Sequence, residues 1–297
     1  MTITAIILTY NEEKHIRRCI ESLIPLVDEI LILDSYSNDR TLDIASEYDL
    51  IKIKKNKFLN YATQFNTALD IFDIKSDWVM RIDADEYIDS ECSSFLRDNI
   101  STLSNDINGI YLNRYMTFLG RLMVHGGMDS YWMLRMWRNG YGRCEQRWMD
   151  EHILLSSGNT VKSTGKLVDD NLNTLSWWSH KHVDYSTREA IDILLKERDS
   201  SKQLKADFFG SKSEKIRFLK NSYNKLPLFI RPFFYFIYRY FIKMGFRDGK
   251  EGFLWCIFQG FWYRMMVDAK VFEIKKFAKL ENKSISVVIK EKYGYEI

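Results

Sequence analysis

The sequence predicts an α/β fold in which a mixed, mainly parallel central sheet is flanked by helices and followed by an aromatic-rich helical C-terminal extension. Three observations predict it. Short apolar runs alternate with helical patterns through the first third of the chain, and the middle third alternates apolar and polar residues as antiparallel strands do. Much of the 15% aromatic content is massed in the last third.

Taken in order, Ile3–Thr9 reads as the first strand, and Asn11 as the N-cap of a helix that turns Ile16, Cys19, Ile20 and Leu23 to one face. Glu12 and Glu13 fall in the first turn of that helix, where the dipole favours acids. Glu29–Leu33 reads as a strand, Thr41–Tyr48 as a short helix, Ile51–Ile53 as a strand and Tyr61–Phe72 as a helix. Trp78–Ile82 is a fourth strand that runs into carboxylates, and a helix is expected near Ser90–Thr102. Gly109–Phe118 and Ser130–Trp137 alternate like antiparallel strands, with Asn139-Gly140 as a hairpin turn. Helical patterning resumes from about Leu172, and Ser200–Lys225 is polar and lysine-rich enough for a linker or an exposed helix. The expected organisation is a catalytic domain over 1–170, with halves 1–105 and 106–170, then a helical segment and linker over 171–225 and an extension over 226–297.

Length and composition allow an enzyme and narrow its class. The 297 residues hold 46% hydrophobic and 28% charged residues, far from a disordered profile. A net charge of +3 is too small for the broad basic surface that binds nucleic acid. The four cysteines stand singly, with no C-x-x-C pair, which argues against structural zinc and a disulfide framework and for a reducing compartment. A strand pattern begins by Ile3 without a basic leader or cleavage motif, so a cytoplasmic location is expected.

Open α/β sheets bind ligands outside the carboxyl ends of their strands. Here those ends read Thr9-Tyr10-Asn11-Glu12, Asp34-Ser35-Tyr36-Ser37-Asn38-Asp39 and Asp83-Ala84-Asp85-Glu86. Asp83 and Asp85 alternate along an extended backbone, so both side chains are expected on one side. That pair suits a magnesium or manganese ion, which takes one or two carboxylates and completes its shell with substrate phosphates and water.

These residues resemble the family 2 inverting glycosyltransferases, whose fold is GT-A. The likeness runs through Ile6-Ile7-Leu8-Thr9-Tyr10-Asn11-Glu12-Glu13, then Ile30–Ser35 with Ser37, Asp39 and Thr41, then Asp83-Ala84-Asp85-Glu86. It implies that Thr9, Tyr10 and Asp34, with Asn11 and Glu13 beside them, surround the nucleotide of a nucleoside diphosphate sugar. It further implies that Asp83 faces ribose or diphosphate and that Asp85 holds a divalent metal, Mn2+ or Mg2+. The chain also resembles the bacterial lipopolysaccharide core and colanic-acid type branch, through Phe58, Asn60-Tyr61-Ala62, Gln64 and Asn66. The branch places Gln64 and Asn66 at the donor; where it often carries a basic residue between them, this chain has Phe65.

Inverting transfer needs a carboxylate to take the acceptor hydroxyl proton. Met149-Asp150-Glu151-His152 resembles the family's acidic acceptor motif, and Glu151 is expected as base ahead of Asp150. His125-Gly126-Gly127 and Arg135 match the branch and are expected at the acceptor. Trp178, His180, Lys181, His182 and Tyr185 match it too, with His182 expected to join the metal shell or touch diphosphate.

Leu226–Arg247 is aromatic and basic, with Arg231, Arg239, Lys243 and Arg247, and is too interrupted by charge to span a bilayer. An interfacial helix is expected instead, continued by Phe253–Phe258 and Phe261–Met266, with a turn at Gly245–Gly252. The combined expectation is metal-dependent hexosyl transfer to a lipid-linked, lipopolysaccharide or exopolysaccharide acceptor, by a protein peripheral on the inner face of the cell membrane. A sugar nucleotidyltransferase and a non-catalytic, membrane-associated saccharide-binding protein are the alternatives. The first lacks the glycine-rich phosphate loop it would need after strand one.

Overall fold

The computed structural model describes residues 1–128, 130–146, 152–198, 223 and 226–295. Two compact units divide the chain: Met1–Val124 with Met128–Leu172, and His125–Gly127 with Asn173–Ile297.

The first unit is built on one sheet with strand order β3-β2-β1-β4-β8-β6-β12-β5, where β7 and β11 also pair with β6. Its strands are β1 Ile3–Thr9, β2 Glu29–Asp34, β3 Ile51–Lys55, β4 Trp78–Asp83, β5 Glu86–Ile88, β6 Ile107–Phe118, β7 Arg121–Met123, β8 Tyr131–Arg138, β11 Asn159–Lys162 and β12 Leu167–Asp169. The neighbours β3, β2, β1 and β4 are mutually parallel, and β8 runs antiparallel to both β4 and β6. A parallel strand is covered on both faces, which is why β1 is apolar on both faces, at Ile3, Ala5, Ile6, Ile7 and Leu8.

One face packs Ile7, Ile30, Ile32, Met80 and Ile82 against Ile16, Cys19, Ile20 and Leu23 of α1, Ile16–Leu23, and against Ile44 and Ala45 of α2, Thr41–Ala45. Cys92 and Leu96 of α4, Ser90–Asn99, complete that face. The other face packs Ile6, Leu31, Leu33 and Val79 against Ala62, Phe65 and Ala68 of α3, Tyr61–Ile71. Register then places the functional ends: Thr9 lies opposite Asp34, and Leu8 opposite Asp83.

Local readings that fail do so for identifiable reasons. Asn11 does not cap α1, because its φ of 56° puts it in a left-handed turn and His15 stands at the cap. Asn139-Gly140 is a turn without a hairpin: the next strand, β9 Gly142–Cys144, pairs with β10 Ile153–Leu155 and not with β8. Asp85 lies in the turn between β4 and β5, so Asp83 and Asp85 do not share one extended strand.

In the second unit, α5 Leu175–Arg198 packs Ala190, Ile191 and Leu194 on Val267, Val271 and Ile274 of α8, Tyr263–Leu280, and on Val288 and Ile289 of α9, Ile285–Tyr293. Between them come α6 Arg231–Ile237, a π segment Tyr238–Ile242, a 3-10 turn Gly245–Asp248, α7 Gly249–Trp255 and a second π segment Cys256–Trp262. The turn expected at Gly245–Gly252 is thus the 3-10 turn running straight into α7. The expected linker over 200–225 falls, apart from Tyr223, outside the described residues.

Candidate active site

The loops after β1 and β2 are laced together by hydrogen bonds. Asp34 is wholly buried; its Oδ1 accepts from Thr9 Oγ1 at 2.9 Å and from Ser37 Oγ at 2.5 Å, and its Oδ2 accepts from the Ser37 amide at 2.8 Å. The Asn11 amide donates to Ser37 Oγ at 2.9 Å, and Asn11 Oδ1 accepts from the Asn38 amide at 2.9 Å. Glu13 joins in both directions, its amide donating to Asp39 Oδ2 at 3.1 Å and its carboxylate accepting from the Arg40 amide at 3.2 Å. This lacing holds Asn11 and Tyr36 at φ of 56° and 62°, a left-handed conformation that suits asparagine and is uncommon for tyrosine. Tyr10 and Tyr36 are left 58% and 59% exposed, two aromatic faces on the rim of the same loops.

Beside this rim, Asp83 ends β4. Arg135 Nη2 donates to Asp83 Oδ2 at 3.0 Å and to Glu86 Oε1 at 2.8 Å, and Arg81 Nε stands 3.5 Å from Asp83 Oδ1. Burial opposes ionisation of Asp83, yet Arg135 and then Arg81 hold its carboxyl well below the usual carboxylate range. Arg135 reaches this place through a β-bulge. Met136 pairs with Ile110 and Leu134 with Tyr111, so Arg135 is the extra residue that the register shift re-aims. Arg135, expected at the acceptor, is 2% exposed, and both of these partners are acidic.

Asp85 has a different environment. Its Oδ2 accepts from the neutral amide of Asn171 at 3.1 Å, and its carbonyl accepts from the Asp170 amide at 3.0 Å. Arg18 ties Asp170 to the same turn, bonding the Asp170 carboxylate and, at 3.3 Å, the Asp85 carbonyl. A half-exposed carboxylate steadied by a neutral amide suits a hard divalent cation that draws its other ligands from phosphate and water. Among the described residues no three histidine, cysteine or acidic side chains converge as a closed ligand set.

Sequence reasoning missed the end of β12. Asp169 lies opposite Glu86, and both carboxylates are bonded by Arg114. Burial, and then the charges of Asp85, Glu86 and Asp83, push Asp169 up to about 7 against the pull of Arg114. His15 was missed as well: its Nε2 accepts from the Leu172 amide at 2.9 Å, so Nδ1 carries the proton and donates to Glu12 at 2.6 Å. The signal was there in Leu167-Val168-Asp169-Asp170-Asn171, a short apolar step ending in acids like the strands before it.

Other expected residues are taken up elsewhere. Gln64 is 1% exposed and bridges Ser35 Oγ at 3.1 Å to Asn56, so it braces the β2 loop from behind. Asn66, expected at the donor, pairs with the Cys144 backbone, donating at 2.8 Å and accepting at 3.0 Å, and so ties α3 to β9. His125, expected at the acceptor, belongs to the second unit, where its Nδ1 and amide bond the Asp248 carboxylate at 2.7 and 2.8 Å. His182, expected at the metal, also lies there; its Nδ1 bonds the Trp178 carbonyl at 2.8 Å and its ring stacks 3.5 Å from the Trp178 ring. Burial lowers its pKa, with the Trp178 carbonyl pulling the other way.

Asp150 and Glu151 lie outside the described residues. In sequence they fall between β9 and β10. β9 and β10 pair antiparallel, and beyond them the Glu145 carboxylate accepts from the His152 amide at 3.1 Å and approaches His152 Nδ1 at 3.0 Å. Arg81 Nη1 stands 3.8 Å from Cys144 Sγ, so the same side chain touches β9 and Asp83. A hollow of about 550 Å³, lined by Thr2, Glu29, Lys52, Lys54 and Asp73 among others, opens toward the opposite ends of the strands, away from these groups.

A family model described as "Glycosyl transferase family 2" matches residues 4–152. An uncharacterized glycosyltransferase of Rickettsia bellii is 26% identical over 289 residues, spanning 94% of this chain and 84% of its own. The lipopolysaccharide core biosynthesis glycosyltransferase LpsC of Rhizobium meliloti is 27% identical over 278 residues, spanning 92% and 93%. Among solved structures, glucosyl-3-phosphoglycerate synthase from Mycobacterium tuberculosis with Mn2+, uridine diphosphate and glucosyl-3-phosphoglycerate aligns at 22% identity and a TM-score of 0.32. That alignment covers 39% of this chain and 44% of the synthase, less than half of either.

Proposed function

Because the chain belongs to glycosyl transferase family 2 and is a glycosyltransferase of GT-A-like fold, we propose that it moves a hexosyl group, with inversion, from a nucleoside diphosphate sugar to a lipid-linked, lipopolysaccharide or exopolysaccharide saccharide. The observation that carries this reading is the strand register that brings Thr9, Asp34 and Asp83 to one end of three adjacent strands. The likeness to LpsC supports the choice of acceptor class. A peripheral position on the inner face of the cell membrane goes with a lipid-linked acceptor.

In this reading the laced loops of Thr9–Glu13 and Asp34–Asp39 form the nucleotide seat, with Tyr10 exposed on its rim as an apolar face for the base. Asp83, kept ionised by Arg135, orients the ribose or diphosphate end. Asp85 would hold a magnesium or manganese ion, which when bound would supply positive charge to offset the negative charge of the diphosphate. Glu151, ahead of Asp150, takes the proton of the acceptor hydroxyl as that oxygen attacks the anomeric carbon on the face opposite the diphosphate.

Separating donor binding from transfer tests the assignment. Glu151→Gln is expected to lower kcat for transfer by about 100-fold or more while donor affinity stays within a few fold. Transfer by Glu151→Gln at the parent rate would remove Glu151 from the mechanism.

A further inference from the structure

The segment from Ile230 to Phe246 is built inside out. Its arginines are buried: Arg231 is 2% exposed and donates from Nε to Asp268 Oδ1 at 2.7 Å, while Arg239 is 4% exposed and donates to the Gly126 carbonyl at 2.6 Å. Its large apolar side chains face outward. Phe233, Phe234, Ile237, Phe241, Ile242 and Phe246 are each between 46% and 66% exposed. Positions 230, 233, 234, 237, 238, 241 and 242 follow helical spacing, so they form one stripe along α6 and its π extension. Soluble surfaces seldom carry a contiguous apolar stripe of this kind, and such a stripe marks a docking face.

Charge identifies the occupant. Over residues 226–250 the sole acid is Asp248, which is 1% exposed and bonded to His125, whereas Lys243, Arg247 and Lys250, which follow the stripe in sequence, are exposed; the next acid is Glu251. A second copy of this face would bring those cations no exposed acid from 226–250 to pair with. An anionic bilayer instead offers acyl chains to the phenylalanines and phosphates to the basic end. No helix among the described residues is long and apolar enough to cross a membrane. We infer that the exposed stripe of α6 and its π extension lies flat in the headgroup region of an anionic bilayer, with Lys243, Arg247 and Lys250 at phosphate level. This leaves the buried Arg231 and Arg239 away from lipid, and it gives the peripheral location proposed above, on which it rests, a specific surface.

The test is flotation of the full chain with vesicles of phosphatidylcholine, with and without phosphatidylglycerol. The parent is expected to float with the anionic vesicles. Phe234→Ser/Ile237→Ser/Ile242→Ser is expected to partition at least about tenfold less, with an unchanged circular dichroism spectrum. Since the native cysteines Cys19, Cys92, Cys144 and Cys256 are all buried, Ile242→Cys accepts an environment-sensitive fluorophore selectively. Its emission is expected to shift to the blue when anionic vesicles are added, a readout independent of whether the triple variant folds. A parent that stays with the soluble fraction, a label that does not shift, or a stripe-dependent dimer formed without lipid would overturn the inference. Transfer to a soluble acceptor, measured in parallel, reports separately on the glycosyl-transfer reading.

Discussion

At Asp83, Asp85 and Asp169, three acids close enough for the charges of the first two to act on the third are given different chemical characters by their partners. Arg135 matches Asp83 at 3.0 Å, a neutral amide steadies Asp85, and burial dominates at Asp169. For Asp169 the sign of the pH effect follows directly. Its folded pKa, about 7, lies above the ordinary 3.8, so its favourable contribution is complete below the ordinary value and is lost as pH rises through about 7. In metal-free buffer, the melting temperature of the parent should therefore fall relative to that of Asp169→Asn between about pH 5 and about pH 8. A constant gap between the two melting curves would mean that Asp169 ionises as an ordinary acid.

Among the elements, α1 shows how much of the fold was legible. Ile16, Cys19, Ile20 and Leu23 recur at helical spacing, and all four are buried against the sheet. Ile20→Ala should cost about 2–5 kcal/mol in urea unfolding, because it opens a void in a close-packed face. Ile24→Ala, one turn on and 43% exposed, should stay within about 0.5 kcal/mol. Equal losses at the two positions would contradict the packing described for α1.

The strand ends were legible for the same reason as the helix: a polar residue directly after an apolar run has one place to go in a parallel sheet. The role of Arg135 was not, because a bulge sets it, and a bulge depends on how two distant strands register. Gln64 and Asn66 looked like ligand contacts from the motif alone. Their partners, Ser35 and the Cys144 backbone, come from chain segments that no local pattern connects to them. The partner of His125 was equally illegible, since Asp248 is 123 positions away. The aromatic tail gave its composition away but not its orientation, as helical spacing alone does not say which face is buried.

For the whole molecule, the two units divide the work that family membership and surface chemistry imply. The first carries the laced loops, Asp83 and Asp85, and the family match ends at residue 152, within it. The second carries the outward-facing stripe and its buried arginines. The central claim is that acids from β2 and β4, and from the turn after β4, serve one metal-bound diphosphate. Titration calorimetry of a panel of nucleoside diphosphates, with and without Mn2+, on the parent and on Asp85→Asn, tests this most directly. The parent should bind one of the nucleotides about tenfold or more tightly with metal than without, and Asp85→Asn should lose that difference. Metal-independent binding of equal strength in both proteins, or no binding of any nucleotide by the parent, would contradict it.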